Sequence, residues 1–200
     1  MLSYRHGFHA GNHGDVLKHW VQVLCLQYLK QKDKPFFYID THAGAGMYSL
    51  TGPYAKKTGE ASQGIGRLWD QKKLPAGLQD YVQIVKQCNK TKLVHYPGSP
   101  SIAAELLRED DRLRLIEMHG ADSATLQKHL ARDRRAKVVE GDGFVELKGL
   151  LPPPSRRGLV LMDPSYEVKT DYSKVIKSIN EGLKRFATGQ FLVWYPLINS

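Results

Sequence analysis

The segment that most constrains the fold is residues 158–166, which read Gly-Leu-Val-Leu-Met-Asp-Pro-Ser-Tyr. A run of large apolar residues is typical of a strand buried on both faces, and such strands usually lie in a parallel sheet covered by helices. An acid, a proline and an aromatic residue follow this strand at once. Ligands bind at the carboxyl edge of open α/β sheets, so we expect a binding site here.

Asp163 and Pro164 are suited to holding an exocyclic amine of a nucleobase. Such an amine is a poor nucleophile because its lone pair is delocalised into the ring, and a carboxylate and a carbonyl can accept its hydrogens. Proline restricts its own backbone and that of the preceding residue, which fixes both acceptors. Tyr166 can stack on the base, a contact worth roughly 1–3 kcal/mol. The alternative is a simple turn after the strand.

Composition narrows the class of protein. The chain has 200 residues, 42% of them hydrophobic, so we expect a single domain with an inserted piece. It has no apolar run of membrane-spanning length and no signal peptide, and isolated Cys25 and Cys88 argue against disulfides or a thiolate metal site. We therefore expect a cytoplasmic protein. The net charge of +9 favours a polyanionic partner such as nucleic acid.

The chain begins with a basic, histidine-rich arm. His6, His9 and His13 have a spacing that can be read as a metal site. Histidines in a glycine-rich stretch without a carboxylate or cysteine partner are more typical of contacts with nucleic acid or substrate. We therefore predict no metal ion, and Tyr4, Arg5 and His6 are candidates for contacts with nucleic acid or substrate.

A helix follows the arm, with Asn12 or Asp15 as its N-cap. The first buried strand, residues 35–40, then runs into a glycine loop at residues 41–46. Glycines let the backbone approach a ligand, and Asp40 at the strand end can accept a donor group. The loop lacks the third glycine of the dinucleotide fingerprint. Apolar residues at helical spacing predict the stripe of the helix that faces the core: Val16, Leu17, Trp20, Val21, Leu24 and Tyr28.

Residues 51–95 are expected to form a small helical insertion. Helical patterns at residues 63–71 and 78–88 follow one another without a strand between them. The insertion is rich in lysine, which leaves open whether it is an RNA-facing surface or an ordinary solvated face. The helix after the insertion is expected to use Ser99 as its N-cap.

Strands and helices alternate again after the insertion. Strands are predicted at residues 113–118, 136–140 and 190–195, with the last forming an unprotected hydrophobic edge. Proteins normally avoid such edges, which favours a fragment of a longer protein or an edge covered by a partner. The predicted parts of the single domain are residues 1–50 (arm, first helix and first strand), 51–95 (insertion) and 96–200 (the rest).

Two acids near strand ends are candidates for binding an adenosine-bearing cofactor. Glu117 ends the strand after the glycine loop, where a carboxylate takes two ribose hydroxyls. Asp142 follows the next strand and can reach the adenine amine, with Phe144 against the ring. The alternative for Asp142 is a cap on the following helix.

The order of motifs along the chain resembles one known family. The motifs are Leu-Ser-Tyr-Arg-His-Gly-Phe-His-Ala-Gly-Asn-His near the start, Asp-Thr-His-Ala-Gly-Ala-Gly, Tyr-Pro-Gly-Ser-Pro and Asp-Pro-Ser-Tyr. Together they resemble the RlmJ family, bacterial methyltransferases that modify N6 of an adenine in large-subunit (23S) ribosomal RNA using S-adenosylmethionine. The resemblance covers essentially the whole chain. It implies an α/β fold, a Rossmann-like methyltransferase sheet with a helical insertion.

The resemblance also implies which residues form the site. Asp163, with Pro164, matches the catalytic residue that engages the target amine, and Tyr166 matches the aromatic residue that stacks on the base. Tyr4 matches a residue that contacts substrate RNA. The cofactor-binding positions of the family match His19, His42, Ser99, Glu117, Asp142, Gly143 and Asp163.

Two features depart from the family pattern. Ser165 stands where the family usually has a second proline, which leaves the Pro164 carbonyl in place but makes the loop less rigid. Family members also continue with two more strands of a seven-stranded sheet, so we expect this sheet to lack its last two strands.

We therefore predict in-line transfer of a methyl group to adenine N6 in large-subunit ribosomal RNA by a cytoplasmic monomer, without a metal ion or a membrane partner. Three alternatives remain. A DNA adenine-N6 methyltransferase shares the Asp-Pro-x-Tyr motif. A nicotinamide oxidoreductase can use the glycine loop and Glu117. A non-catalytic module would bind ribosomal RNA without methyl transfer.

Overall fold

The computed structural model describes residues 6–196, apart from the side chains at positions 53, 54 and 56, and contains strands and helices in alternation. The strands are β1 (Phe37–Asp40), β2 (Met47–Ser49), β3 (His95–Pro97), β4 (Arg112–Glu117), β5 (Ala136–Glu140), β6 (Gly158–Met162) and β7 (Gln190–Val193). The helices are α1 (His13–Lys30), α2 (Pro53–Thr58), α3 (Ile65–Trp69), α4 (Ala76–Gln87), α5 (Ser99–Leu106), α6 (Gly120–His129), α7 (Gly143–Leu150) and α8 (Thr170–Arg185).

The central sheet has five parallel strands in the order β5-β4-β1-β6-β7. The chain runs outward from β1 through β4 to β5, then returns to place β6 on the other side of β1. The strand order therefore reverses between β1 and β6, and this switch point is where open α/β sheets bind ligands. The predicted fold class is confirmed, the bounds predicted for the strand at 136–140 are those observed, and the apolar run at the start of residues 158–166 forms β6.

The core lies on both faces of this sheet because side chains alternate along each strand. On one face Tyr38, Leu115 and Leu161 pack with residues of α1, α5 and α6. On the other face Ile116 and Val160 pack with residues of α7 and α8. All five residues of β6 are buried, as the run of apolar side chains predicts for an inner strand.

Helix α1 presents a different face to the core from the one predicted. Leu17, Leu24 and Tyr28 are exposed, so the predicted stripe is wrong at these positions. Val16 and Trp20 do pack, but against the insertion rather than the sheet. The residues that α1 buries are Asp15, Lys18, His19, Gln22, Val23, Leu26 and Leu29. The start of this face is polar because it borders the cavity described below.

The insertion packs against α1 and α5 through a shared hydrophobic cluster, in which Ile65, Tyr81 and Val85 lie with Val23 of α1 and Ile102 of α5. Its helices are α2, α3 and α4, with no strand between β2 and β3. Strands β2 and β3 pair antiparallel as a separate two-stranded ribbon at the base of the insertion, which sequence patterns did not predict. None of the helices within residues 6–196 is long and apolar enough to cross a membrane.

Candidate active site

A cavity of about 590 Å³ opens at the carboxyl edge of the sheet, beside the switch point between β1 and β6. Its walls come from the N-terminal arm, α1, the glycine loop, the end of β4 and the loop after β6. The lining residues are His6, Lys18, His19, His42, Ala43, Gly44, Tyr48, Ser99, Glu117, Met118, His119, Asp122, Phe144, Asp163, Pro164, Ser165, Glu167, Val168, Asp171 and Lys174.

Asp163 is held by a lysine that the sequence patterns did not single out as a site residue. The Lys18 ammonium forms an ion pair with the Asp163 carboxylate and lies 2.9 Å from Oδ1 of Asp15. The other oxygen of Asp15 lies 2.9 Å from Nε2 of His6. A chain of polar contacts therefore runs from the arm through α1 to the end of β6. Lys18 is 5% exposed and Asp163 is 19% exposed, so the carboxylate is the more accessible member of the pair, although both residues line the cavity.

The buried pairs fix the charge states at the start of α1. Burial alone would lower the pKa of Lys18, but the carboxylates of Asp15 and Asp163 raise it well above its usual range. Burial would likewise raise the pKa of Asp15, but His6 and Lys18 hold it well below its usual range. Lys18 is therefore charged at neutral pH and presents a fixed cation to Asp163.

His19 ends a buried chain of hydroxyl groups. Its Nδ1 lies 2.6 Å from the Tyr96 hydroxyl, which lies 2.9 Å from the Tyr81 hydroxyl. Tyr81 has no other acceptor in the described part of the chain, so its proton goes to Tyr96, and Tyr96 donates to Nδ1. Burial keeps the pKa of His19 well below its usual range, so the ring is neutral. The remaining proton is therefore on Nε2, and His19 offers a donor to the cavity it lines.

Asp40 is fully buried at the end of β1 and organises the floor of the cavity. Its Oδ2 accepts hydrogen bonds from the hydroxyls of Tyr38 and Ser99, both at 2.7 Å, and its Oδ1 accepts one from the His42 backbone N–H. Burial raises the pKa of Asp40 to about 6. Ser99 is thus the first residue of α5 rather than its N-cap, which is Gly98. The predicted cap is wrong because the Ser99 hydroxyl is used by Asp40.

His42 lies in the glycine loop, where its ring meets the edge of Phe144 with centroids 4.9 Å apart. Its Nδ1 lies 2.8 Å from the Thr41 hydroxyl. Burial lowers the pKa of His42 to about 4, so the ring is neutral at physiological pH. His42 and Phe144 together present an aromatic wall to the cavity.

Glu117 ends β4 at the place the sequence predicted. One carboxylate oxygen accepts the Gly44 N–H at 2.7 Å and the other accepts the His119 N–H at 2.7 Å. Burial raises the pKa of this carboxyl group. Each carboxylate oxygen can accept a second hydrogen bond, so Glu117 still has acceptor capacity for a pair of ligand hydroxyls.

Asp142 and Gly143 follow β5 at the same edge but are not among the residues that line the cavity. The Asp142 side chain caps α7 by accepting the Phe144 N–H at 2.8 Å, which is the alternative the sequence left open. Gly143 packs so closely on the glycine loop that a Cβ there would overlap the Thr41 carbonyl. Both residues place Phe144, and their contact with a cofactor stays a prediction.

Tyr166 has a left-handed backbone, with φ of 55°. Its hydroxyl donates to the Trp194 carbonyl at 2.7 Å, and its ring lies 4.6 Å from that of Tyr172. Its neighbours Ser165 and Glu167 line the cavity, whereas Tyr166 does not. The stacking role of Tyr166 therefore remains a prediction. Pro164, the other predicted partner of the amine, does line the cavity.

The predicted contacts of the arm are only partly within the structure. Tyr4 and Arg5 lie outside the described residues. His6 lines the cavity and contacts Asp15, while His9 lies 3.0 Å from a carboxylate oxygen of Glu60. Within residues 6–196 no three histidines, cysteines or acids are grouped as metal ligands.

Comparison with known proteins gives consistent matches over most of the chain. A family model described as "Ribosomal RNA large subunit methyltransferase D, RlmJ" matches residues 33–200. The curated protein "Ribosomal RNA large subunit methyltransferase J" of Escherichia coli (strain K12) is 56% identical over 199 residues, which are 99% of this chain and 71% of that protein. The protein of the same name from Haemophilus influenzae is 52% identical over 200 residues, again 99% of this chain and 71% of the relative.

A solved structure is also similar. A crystal structure of a protein from Legionella pneumophila str. Philadelphia 1 superposes with a TM-score of 0.90 at 41% sequence identity. The match covers 96% of this chain and 71% of that one.

Proposed function

The chain belongs to the RlmJ family of ribosomal RNA large subunit methyltransferases, and from this premise we propose that it transfers a methyl group from S-adenosylmethionine to N6 of an adenine in large-subunit ribosomal RNA. The observation that carries the proposal is the position of Asp163. Its carboxylate lies at the switch point of the sheet, is held by Lys18 and faces the cavity next to Pro164.

The cavity suits S-adenosylmethionine in both size and donor set. Its volume of about 590 Å³ lies within the range for small-molecule sites. Glu117 has acceptors for the ribose hydroxyls, and Phe144 offers a ring for the adenine. His19 offers the Nε2–H donor to a carboxylate, while His42 and Ser99 line the same wall.

Methyl transfer to the amine depends more on the orientation of the two reacting groups than on acid–base catalysis. S-adenosylmethionine supplies a methyl group on a sulfonium centre, which leaves as a neutral thioether. Asp163 and the Pro164 carbonyl accept the two hydrogens of the amine and turn the nitrogen lone pair toward the methyl carbon. A new C–N bond forms as the C–S bond breaks, and the nitrogen then releases one proton on the side of Asp163. Correct orientation of this kind contributes about 7–11 kcal/mol in favourable cases.

Lys18 fixes the acceptor. Since its ammonium binds one oxygen of Asp163, that carboxylate has a single orientation, and its other oxygen is left for the amine. The target adenine must leave its stack to reach this point, as bases do in other enzymes that modify them. We assign the stacking of that base to Tyr166 and the nearby RNA contacts to Tyr4, Arg5 and His6.

The proposed substrate also bears on where the enzyme acts. Because the proposed substrate is ribosomal RNA, we propose that the enzyme acts in the cytoplasm. We also propose that the enzyme acts as a monomer. Among the alternatives, a DNA adenine methyltransferase would use the same acceptors and must be separated by substrate choice.

A transfer assay with tritiated S-adenosylmethionine tests the proposal. We expect label in large-subunit ribosomal RNA, recovered as N6-methyladenosine after digestion, and far less in small-subunit RNA or duplex DNA. Asp163→Asn is the control, because it keeps the shape of the side chain but places a donor next to the amine. Label in DNA alone would establish the DNA alternative, and RNA binding without transfer would establish the non-catalytic one.

A further inference from the structure

The insertion carries more than half of the net charge of the chain. Residues 51–95 contain eight lysines and arginines and three acids, a net charge of +5 out of +9 for the whole sequence. Lys72, Lys73, Lys90 and Lys92 are exposed. None of these lysines pairs with a carboxylate in the described part of the chain. This basic surface should therefore attract a polyanion by its electrostatic field.

A second cavity, of about 390 Å³, lies in this basic region, in the segment that ends α3 and on the face of α4. It shares no lining residue with the cavity at the sheet edge. Trp69 gives it an aromatic wall, and Lys72 and Lys86 bring ammonium groups to it. Three amide side chains also line it, those of Gln71, Gln79 and Gln83.

We propose that this second cavity binds one unpaired nucleotide of the RNA substrate, with the base on Trp69 and its phosphates on Lys72 and Lys86. The inference rests on the proposed function and adds a contact point outside the site of methyl transfer. Aromatic rings in a basic groove are how proteins bind single-stranded nucleic acid, because every base has a face that can stack. The amides supply donors and acceptors for a base edge.

Lys86 occupies the face of Trp69 on which a base would stack. Its Nζ stands over the Trp69 ring, 5.7 Å from the ring centroid. An exposed cation–π contact is weaker than the stacking of a base on an aromatic ring. A base can therefore take the place of the ammonium, which then moves to the phosphate. Asp70 lines one side and excludes a phosphate there, while its carboxylate can accept hydrogens from a base amine.

Fluorescence titration with single-stranded oligocytidylate of ten nucleotides tests the aromatic contact. Trp69 is one of three tryptophans, so wild-type fluorescence should be partly quenched and Trp69→Phe should lose that component while binding with similar affinity. Trp69→Ala should bind about tenfold more weakly, since the stacking surface is gone. Quenching that persists unchanged in Trp69→Phe would overturn the assignment.

A charge-matched pair of variants tests the phosphate contacts. Lys72→Ala/Lys86→Ala should weaken binding about tenfold and reduce the salt slope by about 1.4, because each phosphate contact with a single strand contributes about 0.7. Lys177→Ala/Lys184→Ala removes the same charge from exposed positions on α8 and should have a much smaller effect. Equal losses in the two pairs would mean general attraction and no site.

Binding of S-adenosylmethionine, measured by calorimetry, shows that each variant is folded and should stay at the wild-type value. The transfer assay separates this inference from the proposed function. If the wild type methylates ribosomal RNA and all variants bind oligocytidylate as the wild type does, only the proposed nucleotide site in the second cavity is refuted. If the wild type does not methylate RNA, the proposed function itself is refuted.

Discussion

The Nδ1 atom of His19 lies 2.6 Å from the hydroxyl of Tyr96, although the two residues are 77 positions apart in the sequence. Tyr96 belongs to β3 and bonds in turn to Tyr81 on α4. The tautomer of a histidine at the cofactor cavity is therefore set by hydroxyl groups that belong to the insertion and its base.

Replacing Tyr96 with phenylalanine should weaken S-adenosylmethionine binding by about tenfold. The variant removes the donor to Nδ1, so His19 no longer has a fixed Nε2–H, and the loss of one such hydrogen bond is worth about 1 kcal/mol or more. Calorimetric titration measures the affinity, and nitrogen NMR of the His19 ring should show a mixture of tautomers. Tyr28→Phe, at an exposed position, is the matched control. Unchanged affinity and a single tautomer in Tyr96→Phe would contradict the assigned chain.

Replacing Lys18 with methionine should destabilise the fold by about 3–5 kcal/mol, because it leaves the carboxylates of Asp15 and Asp163 without their shared cation. Urea unfolding at pH 7 measures the change. The double variant Asp15→Asn/Lys18→Met should recover part of the loss, since one of the two unpaired charges is gone. Lys177→Met on the surface of α8 should leave the free energy of unfolding within about 0.5 kcal/mol of the wild type. A similar result for Lys18→Met would show that the ion pairs add nothing.

Two glycines of the same helix should respond in opposite directions to alanine. Gly143→Ala places a methyl group against the Thr41 carbonyl, and we expect a loss of about 3 kcal/mol or more together with weaker cofactor binding. Gly149→Ala meets no heavy atom within 4 Å and should gain about 0.5–1 kcal/mol from helix propensity. Thermal melting with and without S-adenosylmethionine compares them. If both variants lost stability, helix α7 itself rather than its contact with the glycine loop would be sensitive.

Asp40 should make the fold less stable as the pH rises. Its folded pKa of about 6 lies above the unfolded value of about 3.9, so the folded state holds more protons between these pH values. Stability from this group is therefore present at about pH 4 and lost as the pH rises through 6, by about 3 kcal/mol in total. Asp40→Asn cannot ionise, and its free energy of unfolding relative to the wild type should rise by most of that amount from pH 4 to pH 7. Asp110→Asn, at an exposed position, is the matched control, and a flat difference for Asp40→Asn would refute the ionisation.

Sequence patterns predicted the sheet well because its inner strands are strongly apolar and end in polar residues. The run at residues 158–162 is short and continuously apolar, as is typical of a buried strand, and Glu117 and Asp163 lie at the carboxyl ends of their strands. The strands of the β2–β3 ribbon have three residues each and contain tyrosines, a histidine and a proline in no alternating pattern. Such short strands form only because tertiary contacts hold them, so no local signal announces them.

The buried polar residues were harder to predict for a different reason. On α1 the apolar positions suggest one face, but Asp15, Lys18, His19 and Gln22 recur at helical spacing on another. The helical spacing of these polar residues was the signal that could have revealed the buried polar face. The spacing alone does not identify their partners, since Lys18 pairs with Asp163, which is 145 residues away in the sequence and close only in the folded protein.

The antiparallel ribbon has a mechanical consequence. Tyr48 of β2 stands opposite Tyr96 of β3, and the Tyr48 hydroxyl also accepts the Ala45 N–H of the glycine loop. The base of the insertion is therefore bonded to the glycine loop through Tyr48 and to His19 through Tyr96. We expect that a displacement of the insertion, such as one caused by bound RNA, would shift both of these walls of the cavity together.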